Sequence, residues 1–336
     1  MSNYKLNSLY PGAGIIVTYK CPAKCLHCCY SSSPKRSGDY MSKDTADKIF
    51  ALLRKMGCYS VHIGGGEPFI NFEKLLEVCK SARENRISID YIETNASWYT
   101  DDINVSEKLK KLISAGIDCL LISVDPFHNE FVTYNKIKNL AKCCRKNSMG
   151  TFIWQSKFER IAQQLDENTT HSLSEYENIF GDDFIKQVSE NYGLGYNGRA
   201  LRILERFTKD KKSYEYFLKD NHNQCGERIK SLHHFHVDMD GNLIPPSCNG
   251  FRANIFDLCG EGLDSDKYKY FTAVANGGLE GLFKRAEALG FIPKNDGYVS
   301  KCALCFDIKK YICENIKTNT GTEPDDIGPA GFFTES

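Results

Sequence analysis

Three cysteines near the start of the chain, Cys21, Cys25 and Cys28, have a spacing that suits a metal centre. The Cys-x3-Cys-x2-Cys run follows an apolar, strand-like segment, so the three side chains should lie in one loop. Three thiolates can hold an iron–sulfur cluster and leave its fourth iron open to a substrate or cofactor. A structural zinc site normally needs a fourth protein ligand, which His27 could hardly supply from inside the motif. The spacing therefore favours an open cluster.

A second motif lies at the end of the next expected strand, where Val61–Ile63 runs into Gly64, Gly65, Gly66 and Glu67. Glycines let a backbone approach a ligand closely, and a carboxylate at this point could meet an ammonium group. Together, the cysteine motif and this turn resemble the radical SAM superfamily. In that family the corresponding Gly-Gly-Glu binds the amino group of S-adenosylmethionine (SAM). The resemblance implies the same role for Gly65, Gly66 and Glu67.

The composition limits the partners and the compartment. The 336 residues include 43 basic and 43 acidic side chains, so the formal net charge is zero and does not favour a nucleic-acid partner. No apolar run is long enough to cross a membrane, and residues 1–10 lack a signal-peptide pattern. We therefore expect a cytoplasmic protein, in which 15 cysteines indicate metal or redox chemistry rather than disulfides.

Strand-like and helix-like segments alternate over the first half of the chain, which predicts an α/β fold with a parallel sheet and helices packed outside it. Such sheets bind ligands at the carboxyl ends of their strands, where every motif here falls. The resemblance implies a partial (β/α)6 TIM-like barrel, followed by a small cysteine-rich α+β region. The expected strands are Ala13–Tyr19, Ser60–Ile63, Ser88–Glu93, Cys119–Val124, Thr151–Gln155 and one near Val188–Leu194.

We predict five segments along the chain. They are an N-terminal lead-in (1–12), the radical SAM core (13–206), a helical bridge (207–224), an auxiliary-cluster region (225–317) and a flexible tail (318–336). The tail is expected to be flexible because it is rich in Gly, Thr, Pro and acidic residues. Polar residues 157–183 interrupt the core pattern, either as an inserted helical segment over the barrel mouth or as a long connection.

The resemblance also implies further SAM contacts from polar residues in the core. The candidates are His27, Thr94, Asn95, Ser123, Asp125 and Arg199. His27 should lie near the adenine ring, the residues at strand ends should contact the ribose and the carboxylate, and Arg199 should bind the carboxylate. Capping of strand ends and an ordinary surface arginine are the alternatives. His128 could face the substrate, although a lone histidine is more often structural.

The C-terminal third carries a second set of cysteines: Cys225, Cys248, Cys259, Cys302, Cys305 and Cys313. Val237–Ile244 has the pattern of a hairpin with an Asp-Gly turn, and it leads to Cys248. A cysteine, a hairpin, a second cysteine and a Cys-x2-Cys pair resemble the auxiliary-cluster region called SPASM or, when shortened, twitch. The resemblance implies at most one auxiliary [4Fe–4S] cluster, and a structural zinc ion is the alternative.

Two ligand sets for that centre remain open. The first is Cys225, Cys302, Cys305 and Cys313, and the second is Cys225, Cys248, Cys302 and Cys305. We favour the first set for a chemical reason, since it leaves Cys248 as a free thiol. The role of Cys259 stays open.

The resemblance implies that the enzyme cleaves SAM reductively to a 5′-deoxyadenosyl radical, which abstracts a hydrogen atom from the substrate. A reductant such as flavodoxin or ferredoxin would supply the electron. The stretch from Cys21 to Pro34 is similar to that of peptide epimerases of this family. We therefore predict epimerisation of L- to D-residues in a ribosomally synthesised peptide. Cys248 would donate the hydrogen, with Asp238 or Asp240 as a polar or acid–base partner.

Two alternatives belong to other classes of function. A peptide cross-linking enzyme would form thioether or carbon–carbon bonds and use the auxiliary cluster as its electron acceptor. A non-catalytic zinc-binding protein would use both cysteine sets as structural centres, but it does not explain why Gly65, Gly66 and Glu67 fall at a strand end.

Overall fold

The computed structural model describes residues 4–9, 12–219 and 224–334. Its strands are β1 (Gly12–Ile16), β2 (Ser60–Gly64), β3 (Ser88–Thr94), β4 (Cys119–Ser123), β5 (Gly150–Trp154), β6 (His236–Asp238), β7 (Asn242–Ile244) and β8 (Ala253–Asn254). Its helices are α1 (Lys43–Lys55), α2 (Phe72–Glu84), α3 (Asp102–Ser114), α4 (Pro126–Asn129), α5 (Tyr134–Lys146), α6 (Ser156–Ala162), α7 (Leu173–Phe180), α8 (Phe184–Tyr192), α9 (Ala200–Phe207), α10 (Tyr214–Leu218), α11 (Gln224–Lys230), α12 (Ile255–Cys259), α13 (Lys269–Glu287), α14 (Lys301–Thr320) and α15 (Ala330–Thr334). A short 3-10 helix spans Pro68–Asn71.

The described strands form one sheet in the order β5-β4-β3-β2-β1-β6-β7-β8. Strands β1 to β5 are parallel, and β6 adds a sixth parallel strand on the other side of β1. Strands β7 and β8 continue the sheet in antiparallel fashion. Because the pairing stops at β5 and at β8, the barrel is open. The predicted fold class, a partial TIM-like α/β barrel, is confirmed.

The two faces of the sheet differ in polarity because side chains alternate along a strand. Ile15 and Val237, which are paired across β1 and β6, belong to the large apolar core that packs the helices against the sheet. One residue earlier in the register, Gly14 pairs with both His62 and His236. The inner face of the open barrel therefore carries polar side chains at this level, instead of the branched apolar residues that usually fill a barrel.

The helices follow from the apolar spacing that predicts them, as α1 illustrates. Its buried side chains recur at helical intervals, at Ala46, Ile49, Phe50 and Leu53. The Ser42 hydroxyl accepts a hydrogen bond from the Thr45 amide at 3.1 Å and so caps the first turn. Helix α1 thus covers the outer face of the sheet and leaves the inner face free.

The last strand predicted for the core, near Val188–Leu194, is wrong. Most of this segment belongs to helix α8, whose buried residues Phe184, Ile185 and Val188 follow helical spacing. The sixth parallel strand is β6, which comes from the C-terminal hairpin. The core and the cysteine-rich region therefore share one sheet.

The polar interruption at residues 157–183 is helical, as the first of its two alternatives proposed. Helices α6, α7 and α8 form a small apolar cluster around Phe158, Tyr176 and Ile185. Cys21 and Cys25 belong to the same cluster. The inserted helices therefore pack against the segment that carries the first cysteine motif.

The C-terminal tail is not the flexible segment expected from its composition. The Asp326 carboxylate is buried and accepts hydrogen bonds from the Tyr270 and Phe271 amides at 2.6 and 2.7 Å. Phe332 and Phe333 are also buried and lie against Phe306. Aromatic side chains and a capping carboxylate therefore hold residues 326–333 on helices α13 and α14, which composition alone does not reveal.

The expected bridge at residues 207–224 contains helix α10, while residues 220–223 lie outside the described part of the chain. Among the helices that the structure describes, none combines the length and the apolar character needed to span a membrane.

Candidate active site

A cavity of about 640 Å³ opens at the carboxyl ends of the parallel strands. Its wall includes the segments that follow β1, β2, β3 and β4. The predicted site residues that line it are Cys21, Cys25, His27, Cys28, Gly65, Gly66, Thr94, Asn95, Ser123 and Arg199. The predicted residues outside its lining are Glu67, Asp125, Cys225, Asp238, Asp240, Cys248, Cys302, Cys305 and Cys313.

The cysteine loop, residues 21–28, presents sulfurs that already accept hydrogen bonds. The Ala23 amide donates to Cys21 Sγ and the Ser32 amide donates to Cys28 Sγ, each at 3.4 Å. Asn95 Nδ2 donates to Cys21 Sγ at 3.4 Å from the end of β3. Burial raises the pKa of the Cys21 thiol to about 12. A thiolate here therefore needs a metal, and donors aimed at sulfur are the contacts that tune a cluster.

The glycine turn, Gly64–Glu67, packs directly on the backbone that leads into the cysteine loop. The Gly66 amide donates to the Thr18 carbonyl at 2.7 Å. A Cβ atom on Gly66 would lie 2.1 Å from the Lys20 carbonyl oxygen, and one on Gly65 would lie 2.5 Å from that of Thr18. Gly65 also has a φ of 138°, which favours glycine. Glycine is required here for loop-to-loop packing as well as for access to a ligand.

The Glu67 carboxylate does not point into the cavity. Its two oxygens accept hydrogen bonds from the Phe69 amide at 3.1 Å, the Thr94 hydroxyl at 3.0 Å and the Asn95 amide at 2.9 Å. Burial raises the pKa of Glu67 to about 7 despite these bonds. Glu67 therefore ties the ends of β2 and β3 together, and its expected contact with an ammonium group stays a prediction.

The Asp125 carboxylate likewise interacts with neighbouring groups of the protein. Its carboxylate is 3% exposed, accepts a hydrogen bond from the His128 amide at 2.9 Å and lies 2.6 Å from His128 Nδ1. Burial alone would raise the pKa of Asp125, but attraction to His128 and His27 and the bonds from His128 together lower it to about 2. Asp125 is therefore placed to orient two histidines that line the cavity, and its expected contact with a ribose stays a prediction.

His27 stacks on Phe127 with ring centroids 4.7 Å apart, and its Nε2 lies 3.8 Å from Asp125 Oδ2. Burial lowers the pKa of His27 to about 4, so the ring is neutral. Its Nδ1 is buried and has no hydrogen-bond partner among the described residues. A neutral imidazole with one unused nitrogen at the cavity wall suits a contact with a bound cofactor.

Arg199 holds the cysteine loop in place. It is 1% exposed, and its Nε donates to the Cys25 carbonyl at 3.0 Å, while a second guanidinium nitrogen donates to the Ser32 carbonyl. Its own amide donates to the Cys28 carbonyl at 3.2 Å. These bonds position the loop, and the expected contact of Arg199 with the carboxylate of SAM stays a prediction. Arg199 precedes helix α9 and does not follow a late strand.

Comparison with known proteins decides the family. The sequence profile of the Radical SAM superfamily matches residues 15–152. The GTP 3′,8-cyclase of Limosilactobacillus fermentum is 30% identical over 310 residues, which cover 90% of this chain and 73% of that protein. This chain belongs to the radical SAM superfamily.

Shorter matches link this radical SAM enzyme to two proteins whose names mention peptides. YydG of Bacillus subtilis, named as a peptide biosynthesis protein, is 28% identical over 127 residues, which are 38% of this chain and 40% of YydG. The PqqA peptide cyclase of Rhodopseudomonas palustris is 27% identical over 112 residues, which are 32% of this chain and 26% of that protein. Each of these matches spans less than half of the relative.

Membership of the family confirms the two predicted cofactors of the core, a [4Fe–4S] cluster and SAM. The residues present fit both. Cys21, Cys25 and Cys28 line one cavity, hydrogen-bond donors are aimed at two of their sulfurs, and the unused Nδ1 of His27 lies in the same wall.

The second cysteine set is brought together from three elements. Cys225 lies in α11, Cys248 follows β7, and Cys302 and Cys305 lie one turn apart on α14. Burial raises the pKa of the Cys305 thiol to about 12, and Cys225, Cys302 and Cys248 raise it further because they lie nearby. Cys225, Cys248 and Cys302 therefore lie near Cys305, as the second of the two predicted ligand sets requires, and that set stays a prediction.

Cys313 lies apart from the other members of the ligand set that we favoured. It lies on the same continuous helix as Cys305 but eight residues further on, a separation of about 12 Å at 1.5 Å per residue. Its charged neighbours are Glu323, Arg252, Lys317 and Glu314, and no cysteine is among them. Because a helix cannot fold back on itself, Cys313 cannot share a centre with Cys302 and Cys305.

A buried cation accompanies the four cysteines. Lys309 is 2% exposed and lies one turn after Cys305 on α14. Its Nζ donates to the Asn249 carbonyl at 2.5 Å and lies 4.7 Å from the centre of the Phe251 ring. The positive charge lowers the pKa of both Cys248 and Cys305 against the effect of burial. Buried lysines are rare without a negative partner, and thiolates bound to a metal would supply one.

Asp238 and Asp240, the predicted partners of Cys248, belong to the hairpin turn. The Asp238 carboxylate accepts hydrogen bonds from the Asp240 and Asn242 amides at 3.0 and 2.9 Å and from the Tyr19 hydroxyl at 3.1 Å. Asp240 is exposed at the tip of the turn. Both residues shape the hairpin, and neither lines the cavity.

The sequence analysis missed several polar residues that line the cavity. They are Cys29, Tyr91, Glu93, His234 and His236. The signal for two of them was the short run His233-His234-Phe235-His236, since histidine-rich tracts often bind metals. Glu93 closes a strand directly before Thr94 and Asn95, and it was passed over in their favour.

Proposed function

We propose that this radical SAM enzyme modifies a ribosomally synthesised peptide by removing a hydrogen atom from one residue and then oxidising that residue. The main support for the proposal is that the segment around Cys248 forms part of the wall of the cavity that Cys21, Cys25 and Cys28 line. Ser247 and Asn249 line the cavity, and Cys248 lies between them in the chain. A centre held by Cys248 and its three partner cysteines would therefore lie directly behind the cavity that the cysteine loop opens into.

The proposed peptide substrate is supported by the relatives and by the charge of the cavity. YydG and the PqqA peptide cyclase both have names that mention peptides. The GTP 3′,8-cyclase is named for GTP, whose triphosphate needs several cations. Among the described residues that line the cavity, Arg199 is the one lysine or arginine, and it is used by loop carbonyls. A substrate without phosphates suits this wall better.

The residues of the core bind and orient the cofactors. Cys21, Cys25 and Cys28 would hold the cluster, and the backbone of Gly65 and Gly66 would face SAM across the cavity. When bound, these cofactors supply a radical that takes a hydrogen atom from carbon. The inserted helices α6 to α8 pack on the cysteine loop and would exclude water from this end of the site.

The fate of the substrate radical depends on the cavity wall. In a cross-link, the carbon radical loses one electron and a neighbouring thiol or carbon loses one proton, so the product has two hydrogens fewer. Cys225, Cys248, Cys302 and Cys305 would hold the auxiliary cluster that accepts the electron. With Cys248 used as a ligand, its thiol cannot return a hydrogen, and this favours cross-linking over the epimerisation by Cys248 that we first expected.

Epimerisation remains a second candidate because of one observation. Cys29 is a cysteine outside both ligand sets, and it lines the cavity. Its carbonyl is held by Asn249 Nδ2 at 2.9 Å, and burial raises the pKa of its thiol, which therefore stays protonated. A thiol that returns hydrogen to the opposite face of a carbon radical inverts that centre without changing the mass of the product.

One experiment tests both candidates. The reconstituted enzyme is incubated anaerobically in deuterium oxide with SAM, a reductant and a small peptide encoded beside it. The products are 5′-deoxyadenosine and the peptide, whose mass and D-residue content are measured for wild type, Cys29→Ser and Cys248→Ala, with Cys259→Ala as a matched control. Cys259 lies on α12, and its thiol is affected by burial alone.

Cross-linking predicts a peptide that has lost two hydrogens in wild type, Cys29→Ser and Cys259→Ala, but not in Cys248→Ala. Epimerisation predicts a peptide that has lost no atoms and carries one deuterium in place of one hydrogen. That product should disappear in Cys29→Ser. If peptides neither stimulate 5′-deoxyadenosine formation nor change, while another substrate class does, the peptide proposal is wrong.

A further inference from the structure

Three histidines meet on the inner face of the open barrel. His62 lies in β2, His236 lies in β6, and His234 precedes β6 by two residues. One ring nitrogen of each lies within 4.8 Å of one ring nitrogen of the other two. The Nε2 atoms of His62 and His236 are 3.2 Å apart. This histidine cluster contains none of the cysteines of either site, and His234 and His236 line the same cavity as the cysteine loop.

The fold leaves space for the cluster. Gly14 pairs with both His62 and His236, and a Cβ atom there would lie 2.1 Å from the ring of His236 and 2.7 Å from Nε2 of His62. Any larger residue in this central strand would push the rings apart. The inner face of the barrel is therefore shaped around the histidines at this level.

The rings are held by stacking on both sides. Tyr91 stacks on one side of the cluster, 5.1 Å from the His62 ring and 16° from parallel to it. His234 stacks on His62 at 5.3 Å and 7°, and the Tyr30 ring meets His236 edge-on at 5.7 Å. Aromatic packing of this kind limits ring rotation, which a ligand nitrogen needs in order to keep its direction.

A carboxylate lies beside the three histidines, although its oxygens are not within the 4.8 Å that joins the three rings. Glu93 Oε1 lies 3.7 Å from His62 Nε2 and lines the same cavity as His234 and His236. Three imidazoles and a carboxylate are a common donor set for zinc and related divalent ions. Zinc binds imidazole nitrogen at about 2.0–2.1 Å, so two nitrogens on one tetrahedral ion lie about 3.4 Å apart. The observed 3.2 Å between His62 and His236 agrees with this geometry.

We propose that His62, His234 and His236 bind one divalent transition-metal ion of the zinc class, with the nearby Glu93 able to turn toward the ion as a fourth ligand. The ion lies in the wall of the substrate cavity, where a substrate carboxylate or thiolate can take the place of Glu93. The proposal does not depend on the class of substrate.

The test uses the holoenzyme with its iron–sulfur clusters in place, so that the cysteines are not available to zinc. Wild type, His234→Ala and His233→Ala are treated with a mild chelator, supplied with one equivalent of zinc, desalted, and analysed for zinc, iron and sulfide. His234 is exposed, so its removal should spare the fold. His233 is its neighbour and lies outside the cluster, which makes it a matched control. Zinc X-ray absorption then reports the ligands.

We expect one zinc per chain in wild type and in His233→Ala, with nitrogen and oxygen neighbours only, at about 2.0–2.1 Å. His234→Ala should bind zinc at least tenfold more weakly at unchanged iron and sulfide content. Zinc that is bound through sulfur at about 2.3 Å, an absence of bound zinc in wild type, or equal affinity in His234→Ala would each overturn the proposal. Because none of these measurements uses catalysis, they fail or succeed separately from the proposed reaction.

Discussion

The two cysteine sites differ in how the chain brings their sulfurs together. We call Cys21, Cys25 and Cys28 the local site, and Cys225, Cys248, Cys302 and Cys305 the assembled site. Cys21, Cys25 and Cys28 come from one loop, and their positions depend on hydrogen bonds from nearby backbone and on Arg199. The other site gathers its four cysteines from α11, the segment after β7, and α14, so it forms only when the C-terminal part has folded. A local motif can be recognised in the sequence, whereas a site assembled from distant elements depends on their packing. Each prediction below is expected to affect one of the two cysteine sites, or its surroundings, and not the other.

The largest effect should follow the removal of the local site. Changing Cys21, Cys25 and Cys28 together to Ala should abolish SAM cleavage and lower the iron content from about eight to about four per chain, because each cluster contains four irons. Iron, sulfide and 5′-deoxyadenosine are measured after anaerobic reconstitution. If both clusters disappear together, the two sites are not independent.

The ligands of the assembled site are tested by comparing substitutions of Cys248, which follows β7, and Cys313, which lies on α14. Cys248→Ala should lose the auxiliary irons and keep the cluster of the cysteine loop. Cys313→Ala should keep all the irons and lose only about 1 kcal/mol of unfolding free energy, because it removes one buried sulfur. Iron analysis and denaturant unfolding distinguish them. The opposite pattern would restore the ligand set that includes Cys313.

Arg199 is not a cluster ligand, but its hydrogen bonds hold the loop that carries the local site. Arg199→Ala leaves the Cys25 and Ser32 carbonyls without their donor and should destabilise the folded chain by about 2–4 kcal/mol, with partial loss of the first cluster. The control is Arg202→Ala, an exposed arginine on α9. Unfolding curves and iron content are compared. A normal first cluster in Arg199→Ala would show that the loop holds itself.

Lys309 should shift the reduction potential of the auxiliary cluster and leave that of the cysteine-loop cluster unchanged. Lys309→Met removes a buried positive charge one turn from Cys305, so the auxiliary cluster should become harder to reduce. Coulomb's law at an effective dielectric constant of about 20 gives a shift on the order of 100 mV. Redox titration followed by electron paramagnetic resonance measures both clusters, and the cluster of the cysteine loop is the internal reference that should not move.

The smallest effect concerns the glycine turn beside the local site. The folded pKa of Glu67 is about 7, above the ordinary value of 4.5, so the folded state holds its proton more tightly than the unfolded state. Stability is therefore greatest at low pH and falls as the pH rises through 7. Between about pH 6 and pH 8.5 the unfolding free energy should fall by about 1 kcal/mol more in wild type than in Glu67→Gln. Urea unfolding without SAM measures this difference.

Much of the local site could be predicted from the sequence because its parts are short-range. Cysteine spacing, the glycine turn and the strand pattern each depend on a few neighbouring residues, and the cavity is lined by Gly65, Gly66, Thr94 and Asn95 as expected. The individual roles were less predictable. Glu67 and Asp125 lie at the expected places but turn their carboxylates to neighbouring donors, because burial requires each charge to find partners first.

The sequence by itself determined the parallel sheet, the cysteine loop and the family. The tertiary structure alone decided three things: that β6 completes the parallel strands, that Cys248 rather than Cys313 lies beside Cys305, and that His62 meets His234 and His236. The physical reason is sequence separation. A helix or a loop is governed by interactions among near neighbours, whereas a contact between residues 62 and 236 exists only after strands β1, β2 and β6 have paired.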